Sequence, residues 1–171
     1  GRALRFYDDV IRDKIVVVSF IYTGCSSICP LMTARLAELQ RRLGDVAGRD
    51  IFFVSISIDP LADTPERLKA YAESFSAGPG WVFLTAAPDT IDEIRYKLGE
   101  RSRQKGLHAN DILLGNARTG EWARDSIMSD LGTLAITVRG MDPVWRSRPL
   151  IDAGVSNSGT GVAQAPLDTR P

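Results

Sequence analysis

Two cysteines separated by three residues, and the single histidine of the chain, are the side chains best suited to chemistry. Cys25 and Cys29 lie in Thr23-Gly-Cys-Ser-Ser-Ile-Cys-Pro30, and His108 lies in Lys105-Gly-Leu-His-Ala-Asn110. The cysteine segment follows a strongly apolar run and precedes a helical pattern, so it sits at a strand-to-helix junction. Unpaired N–H groups and the helix dipole at such a junction stabilise an anion and draw a thiol below its ordinary value of about 8.5. Spacing of i, i+4 over the first turn places both sulfurs on one side, where they can close a disulfide or clamp a soft metal. Spacing alone does not choose between the two. Burial as two small hydrophobes is a third reading, and the junction position argues against it.

The elements that position these residues are readable from apolar patterning. Ile15–Ile21 and Ile51–Ile58 are near-continuous β-branched and aromatic runs, the pattern of central parallel strands covered on both faces. Between them Met32, Leu36, Leu39 and Leu43 recur at helical period from just after Pro30 to just before Gly44. That is a βαβ crossover. Asp63-Thr64-Pro65-Glu66 reads as a helix start leading into Leu68, Tyr71, Ala72 and Phe75. Trp81–Leu84 follows as a short strand, and Thr90-Ile91-Asp92-Glu93 as a capping box opening a helix with Ile91, Ile94 and Leu98 on one face. Ile112–Leu114 and Glu121–Ala123 flank a polar, Gly-containing connection suited to an antiparallel hairpin. Leu131, Leu134, Ala135 and Val138 mark a last helix.

This order predicts an α/β fold of thioredoxin-like type, a central mixed sheet flanked by helices, in one domain over residues 1–150. Ile151 to Pro171 turns to Gly, Ser, Asn, Ala and Pro and is expected to be a flexible tail outside the core. A chain of 171 residues buries roughly two thirds of its surface on folding, enough for a real core. Lys plus Arg and Asp plus Glu are each 21, which leaves no overall charge to favour nucleic acid or an anionic membrane. The longest apolar run falls far short of the ~20 residues that span a bilayer. Residue 1 is Gly with no leader pattern after it, so membrane contact is expected only through an anchor absent from this chain.

In a thioredoxin-like topology the loop ahead of the hairpin approaches the N-terminus of the first helix, which brings His108 toward Cys25 and Cys29. Two thiolates and one imidazole suit copper, sulfur favouring Cu(I) and imidazole accommodating Cu(II). Asp59 and Asp63 read first as turn and cap residues. Asp59 also follows a parallel strand at its carboxyl end, where α/β sheets gather functional groups. Met32, Trp81 and Trp122 read as packing residues. Peroxide reduction would need a Thr- and Arg-assisted cysteine pocket that the sequence does not display.

The chain resembles the Sco/SenC family of copper chaperones for cytochrome c oxidase assembly. The resemblance runs from about residue 5 to about residue 140. It is carried by Phe6-Tyr-Asp-Asp9, Tyr22-Thr-Gly-Cys25 to Cys29-Pro30, Ser57-Ile-Asp-Pro60 with Asp63-Thr-Pro65, and His108 followed by Ile112-Leu-Leu-Gly-Asn116, Thr119-Gly120 and Trp122. It implies Cys25 and Cys29 as thiolate ligands and His108 as imidazole ligand of one copper ion. It also implies a copper-acceptor protein such as a cytochrome c oxidase subunit, a thiol reductant protein as partner, and a periplasmic or otherwise extracytoplasmic location. A thiol-disulfide oxidoreductase using Cys25 and Cys29 as its redox pair is the alternative the residues leave open, and Ser26 and Leu107 stand where many relatives have proline and an acidic residue.

Overall fold

A computed structural model describes residues 1–100 and 110–146 of the chain. His108 and the tail from Ile151 to Pro171 lie outside the described residues. The β-branched runs form β1 (Ile15–Ile21) and β2 (Ile51–Ser57), joined through α1 (Ile28–Leu43). There follow α2 (Pro65–Ser74), β3 (Trp81–Leu84), α3 (Pro88–Lys97), β4 (Asp111–Asn116), β5 (Glu121–Ser126), α4 (Leu131–Gly140) and the short α5 (Pro143–Arg146).

The described strands make one sheet in the order β3-β2-β1-β4-β5. β1 and β2 run parallel with Ile15 opposite Ile51 and Ile21 opposite Ser57, and β3 continues the parallel set. β4 lies antiparallel to β1, and β5 antiparallel to β4. The sheet is therefore mixed, and the predicted thioredoxin-like architecture is the one observed.

All seven residues of β1 are buried because each face has its own cover. Ile15 and Val17 pack with Met32, Leu36, Leu39 and Leu43 of α1 and Leu134 and Val138 of α4. Val16, Val18 and Phe20 pack on the opposite face with Ile91 of α3 and with Val10 and Ile11. The last two belong to a π-helical turn, Phe6–Ile11, that the sequence pattern does not announce. Met32 and Trp81 are core residues as expected, the Trp81 Nε1–H donating to Ser55 Oγ at 2.9 Å.

Four boundaries differ from expectation. α1 begins at Ile28, before Pro30, because a proline in the first turn lacks only an N–H that the helix would leave unpaired. α3 begins at Pro88 with Ala87 as its cap, so the box at Thr90 is not its start. The ring of Pro88 presets the helical φ two residues earlier than the Thr90 hydroxyl could act. β4 and β5 both extend past the apolar residues that mark them, as their pairing runs from Asn116 opposite Glu121 to Asp111 opposite Ser126. Trp122 is not in the core: it is 41% exposed and lies over Gly115, where a Cβ would come within 2.3 Å of its ring.

Gly48 and Gly80 meet backbone to backbone, and a Cβ on Gly80 would lie 2.1 Å from the Gly48 Cα. Both have positive φ, 82° and 78°, so glycine is required twice over. The contact sets the start of β3 against β2, with the Phe53 N–H donating to the Gly80 carbonyl at 2.9 Å. No described helix is long and apolar enough to cross a membrane.

Candidate functional site

The carboxyl ends of β1 and β2 and the first turns of α1 and α2 converge on the two cysteines. Cys29 occupies the second position of α1 and is 0% exposed, while Cys25, in the loop before it, is 6% exposed. They pack with Ile21 and Leu68, and with the partly buried Tyr22, Ile28, Tyr71 and Phe83. Both are free thiols.

No side chain of Ser27 caps α1. Instead the Cys29 N–H donates to Cys25 Sγ at 3.4 Å, so the sulfur takes the helix-capping role that a Ser or Asp oxygen ordinarily fills. Proline at position 30 has no N–H to offer, and the backbone N–H groups of Ser27 and Cys29 are the ones that act on the sulfur. Ser27 Oγ lies 3.6 Å from the same Sγ, and the Cys25 N–H closes the turn onto the Tyr22 carbonyl at 3.2 Å.

These contacts split the two thiols. At Cys25, burial opposes the charged form, but hydrogen bonds from Cys29 and Ser27, backbone first, outweigh it and bring the thiol from 9.0 down to about 6. At Cys29, burial dominates, and the neighbouring Cys25 and the charge of Asp63 add to it, pushing the thiol up to about 12. The Tyr22 hydroxyl is held up by its hydrogen bond with Cys25, and burial pushes Tyr71 up to about 12.

A pH dependence follows. Cys25 binds its proton more tightly unfolded than folded, so its contribution to stability is complete above about pH 9 and is lost as pH falls through about 6. Cys29 has the opposite sign and weakens the reduced fold as pH rises from 9.0 toward about 12. Urea titration of the reduced protein is expected to show stability rising from pH 6 to 9 and falling above it. Alkylation of Cys25 by iodoacetamide is expected to level off once pH passes about 7, a unit above its value of about 6. A reaction still climbing at pH 9 contradicts the assignment.

The elements beneath the cysteines form a hydrogen-bonded floor. Thr33 Oγ1 donates to the Cys29 carbonyl at 2.8 Å and lies 2.9 Å from the Tyr71 hydroxyl, which therefore donates to it. Asp63 is 0% exposed. Its carboxylate accepts from the Thr23 N–H at 3.1 and 3.3 Å, from Thr23 Oγ1 at 2.5 Å and from Ser57 Oγ at 2.6 Å. Asp63 is thus not the cap of α2 as expected. Thr64 caps it, accepting from the Arg67 N–H at 3.3 Å. The turn reading of Asp59 is correct: its carbonyl accepts from Ala62 and Asp63 N–H groups at 3.0 and 2.9 Å. Its charge also reaches Tyr22.

The structure brings together Cys25, Cys29, Asp63 and the charge of Asp59. His108 lies outside the described residues, among which no three His, Cys, Asp or Glu side chains cluster as a metal site. Sequence reasoning gave Tyr22, Thr23 and Ser57 only as motif residues and Tyr71 only as a helix residue, and it missed Thr33 and the part that all five hydroxyls play at the site. What the arrangement offers chemically is one stabilised thiolate beside one buried thiol, both soft donors.

Comparison with known proteins points one way. Residues 4–111 match the model of the SCO1/SenC family. A SCO1 protein homolog of Bacillus subtilis is 34% identical over 89 residues, 51% of this chain and 46% of that protein. A SCO2-like protein of Rickettsia prowazekii is 32% identical over 92 residues, 54% of this chain and 43% of that protein. The matched segment spans less than half the length of these relatives. Among solved structures, a SCO1/SenC family lipoprotein from Bacillus anthracis superposes with a TM-score of 0.68 at 25% identity, over 79% of this chain and 84% of that one. Yeast Sco1 with copper bound superposes with a TM-score of 0.64 at 21% identity, over 82% and 84%.

Proposed function

The chain belongs to the SCO1/SenC family, and from that premise we propose that it is a copper carrier whose ligands are Cys25, Cys29 and His108. The observation that carries this reading is the cysteine pair itself. A low-lying thiolate at Cys25 sits one helical turn from a second sulfur at Cys29, and the Cys29 N–H aims the first. Soft sulfur donors favour Cu(I), and an imidazole from His108 suits both Cu(I) and Cu(II). The same donors do not suit a hard divalent cation such as Mg²⁺.

In this reading the buried Cys29 gives up its proton on metal binding, since a coordinating thiol is deprotonated. Its ordinarily high value then makes release of copper easy to couple to reprotonation. Copper passes by ligand exchange to an acceptor whose chemistry is thiolate and imidazole, such as the cytochrome c oxidase subunit that houses the binuclear copper site. No small substrate is turned over. A thiol reductant protein keeps the pair reduced, because a disulfide has no thiolate to offer. The compartment is extracytoplasmic, in keeping with the lipoprotein nature of the Bacillus anthracis relative.

Reduced protein given Cu(I) or Cu(II) and freed of excess metal is expected to retain close to one copper per chain, with sulfur-to-copper charge-transfer absorbance for Cu(II). Protein first oxidised to the disulfide is expected to retain none. Absence of copper from the reduced protein sinks the carrier reading. A second reading is favoured by the split between Cys25 at about 6 and Cys29 at about 12, the asymmetry of an attacking and a resolving thiol. In that reading the pair reduces disulfides of a copper-site protein without holding metal.

A further inference from the structure

We infer that Asp63 is a positioning residue for the cysteine pair, acting through Thr23 to hold the loop that presents Cys25 to Cys29. The copper arm of this inference rests on the carrier reading above, and its disulfide arm does not.

Asp63 is completely buried at the start of α2, yet its carboxylate does nothing for that helix, which Thr64 caps. Burying a carboxylate is costly without full hydrogen bonding. Both its oxygens are committed elsewhere: one to Ser57 at the end of β2 and to the Thr23 N–H, the other to the Thr23 hydroxyl and the same N–H. Charge-assisted bonds of this kind are the stronger sort, and three of the four reach one residue.

Thr23 is two residues from Cys25. The backbone between them is closed by the Cys25 N–H on the Tyr22 carbonyl, and Cys25 Sγ then meets the Cys29 N–H. A continuous path of fixed bonds therefore runs from β2 through Asp63 and Thr23 to the sulfur. The other path to Cys29 comes through α1, anchored by its own apolar stripe. The separation of the two sulfurs depends on both paths, and the second carries its own polar tie from Thr33 to the Cys29 carbonyl, which Asp63 does not touch.

A carboxylate is needed there because every group facing it donates. Asparagine offers one accepting oxygen and turns an NH₂ toward either the Thr23 donors or the Ser57 hydroxyl. The loop loses its anchor, and the two sulfurs are no longer held at a common distance.

The test uses the full chain in four variants: Asp63→Asn, Thr23→Val, Thr23→Ser and Val54→Ala. The last removes apolar volume from the far face of the sheet and controls for lost stability alone. Each folded variant is equilibrated with oxidised and reduced dithiothreitol. Two electrons pass from Cys25 and Cys29 to the reagent's disulfide, both thiol protons end on the reduced reagent, and the protein disulfide forms. Each is also titrated with Cu(I) against a chromophoric chelator.

Asp63→Asn and Thr23→Val are expected to lower the disulfide equilibrium constant and the Cu(I) affinity about tenfold each, the lower end of what supporting residues of a metal site contribute. Thr23→Ser, which keeps the hydroxyl, is expected to restore both. Val54→Ala is expected to unfold at lower urea with both constants unchanged. If Asp63→Asn does not fold, Thr23→Val against Thr23→Ser decides. Constants at wild-type level in Thr23→Val, or shifts equal to those of Val54→Ala, overturn the inference. If the unaltered chain takes no Cu(I), the carrier reading fails while the disulfide constants still decide the role of Asp63.

Discussion

With serine in place of Cys25 or Cys29, copper retained by the reduced protein is expected to fall from about one per chain to background, a loss of affinity beyond about a hundredfold. Replacing residues that merely support a metal site costs ten- to a hundredfold, and a lost ligand costs more. A serine hydroxyl stays protonated at neutral pH and is a hard donor, so it fails both as an anion and as a soft ligand. The two variants should differ in folding. At position 25 a serine oxygen can still accept the Cys29 N–H, preserving the cap on α1. At position 29 the hydroxyl enters a fully buried site among Ile21, Leu68 and Tyr71, at a cost of about 1–3 kcal/mol unless it finds a partner. Metal analysis after desalting, together with urea denaturation of the metal-free proteins, separates the two effects. A serine variant that keeps wild-type copper rules out that sulfur as a ligand.

His108→Ala gives the second large effect, and it is selective. Under the carrier reading the variant loses a ligand and with it more than about a hundredfold in copper affinity, along with a changed Cu(II) spectrum. Disulfide formation between Cys25 and Cys29 is expected to stay close to that of the unaltered protein, since that reaction needs only the two sulfurs. The pair of measurements is informative because the oxidoreductase reading expects disulfide exchange nearly intact and no metal dependence on His108 at all. Unchanged copper affinity in His108→Ala removes this residue from the ligand set.

Much of the fold is legible because its signals are local. β1 and β2 are continuous β-branched runs, and such a run has few alternatives to a strand covered on both faces. The stripe from Met32 to Leu43 fixes α1 in the same way. The start of α3 is less legible since Pro88 and Thr90 each carry a valid start signal, and the backbone can obey only one. The turn at Phe6–Ile11 has no periodic pattern, and its burial of Val10 and Ile11 depends on a sheet face that other segments build.

At the site, Cys25 and Cys29 stand out by type and spacing, and the strand-to-helix junction foretells an activated thiol. What the residues cannot reveal is which thiol is activated. That depends on the hydrogen bonds that Ser27 and Cys29 make to the Cys25 sulfur and on the depth at which each sulfur sits. Asp63 is a sharper case. Its local context, Asp-Thr-Pro, supports cap chemistry equally well for two adjacent residues, and Thr64 takes the cap. Only the fold brings Thr23, 40 residues upstream, and the end of β2 at Ser57 onto the Asp63 carboxylate.

The margins of the sheet bear on how the protein behaves in a crowd. β3 closes one side with four residues, and β5 closes the other with Glu121, Arg124 and Asp125 among its six. A short rim and a charged rim both discourage a neighbouring molecule from adding its own strand to an open row of backbone groups. Self-assembly by strand addition is thereby disfavoured at both borders of the described sheet.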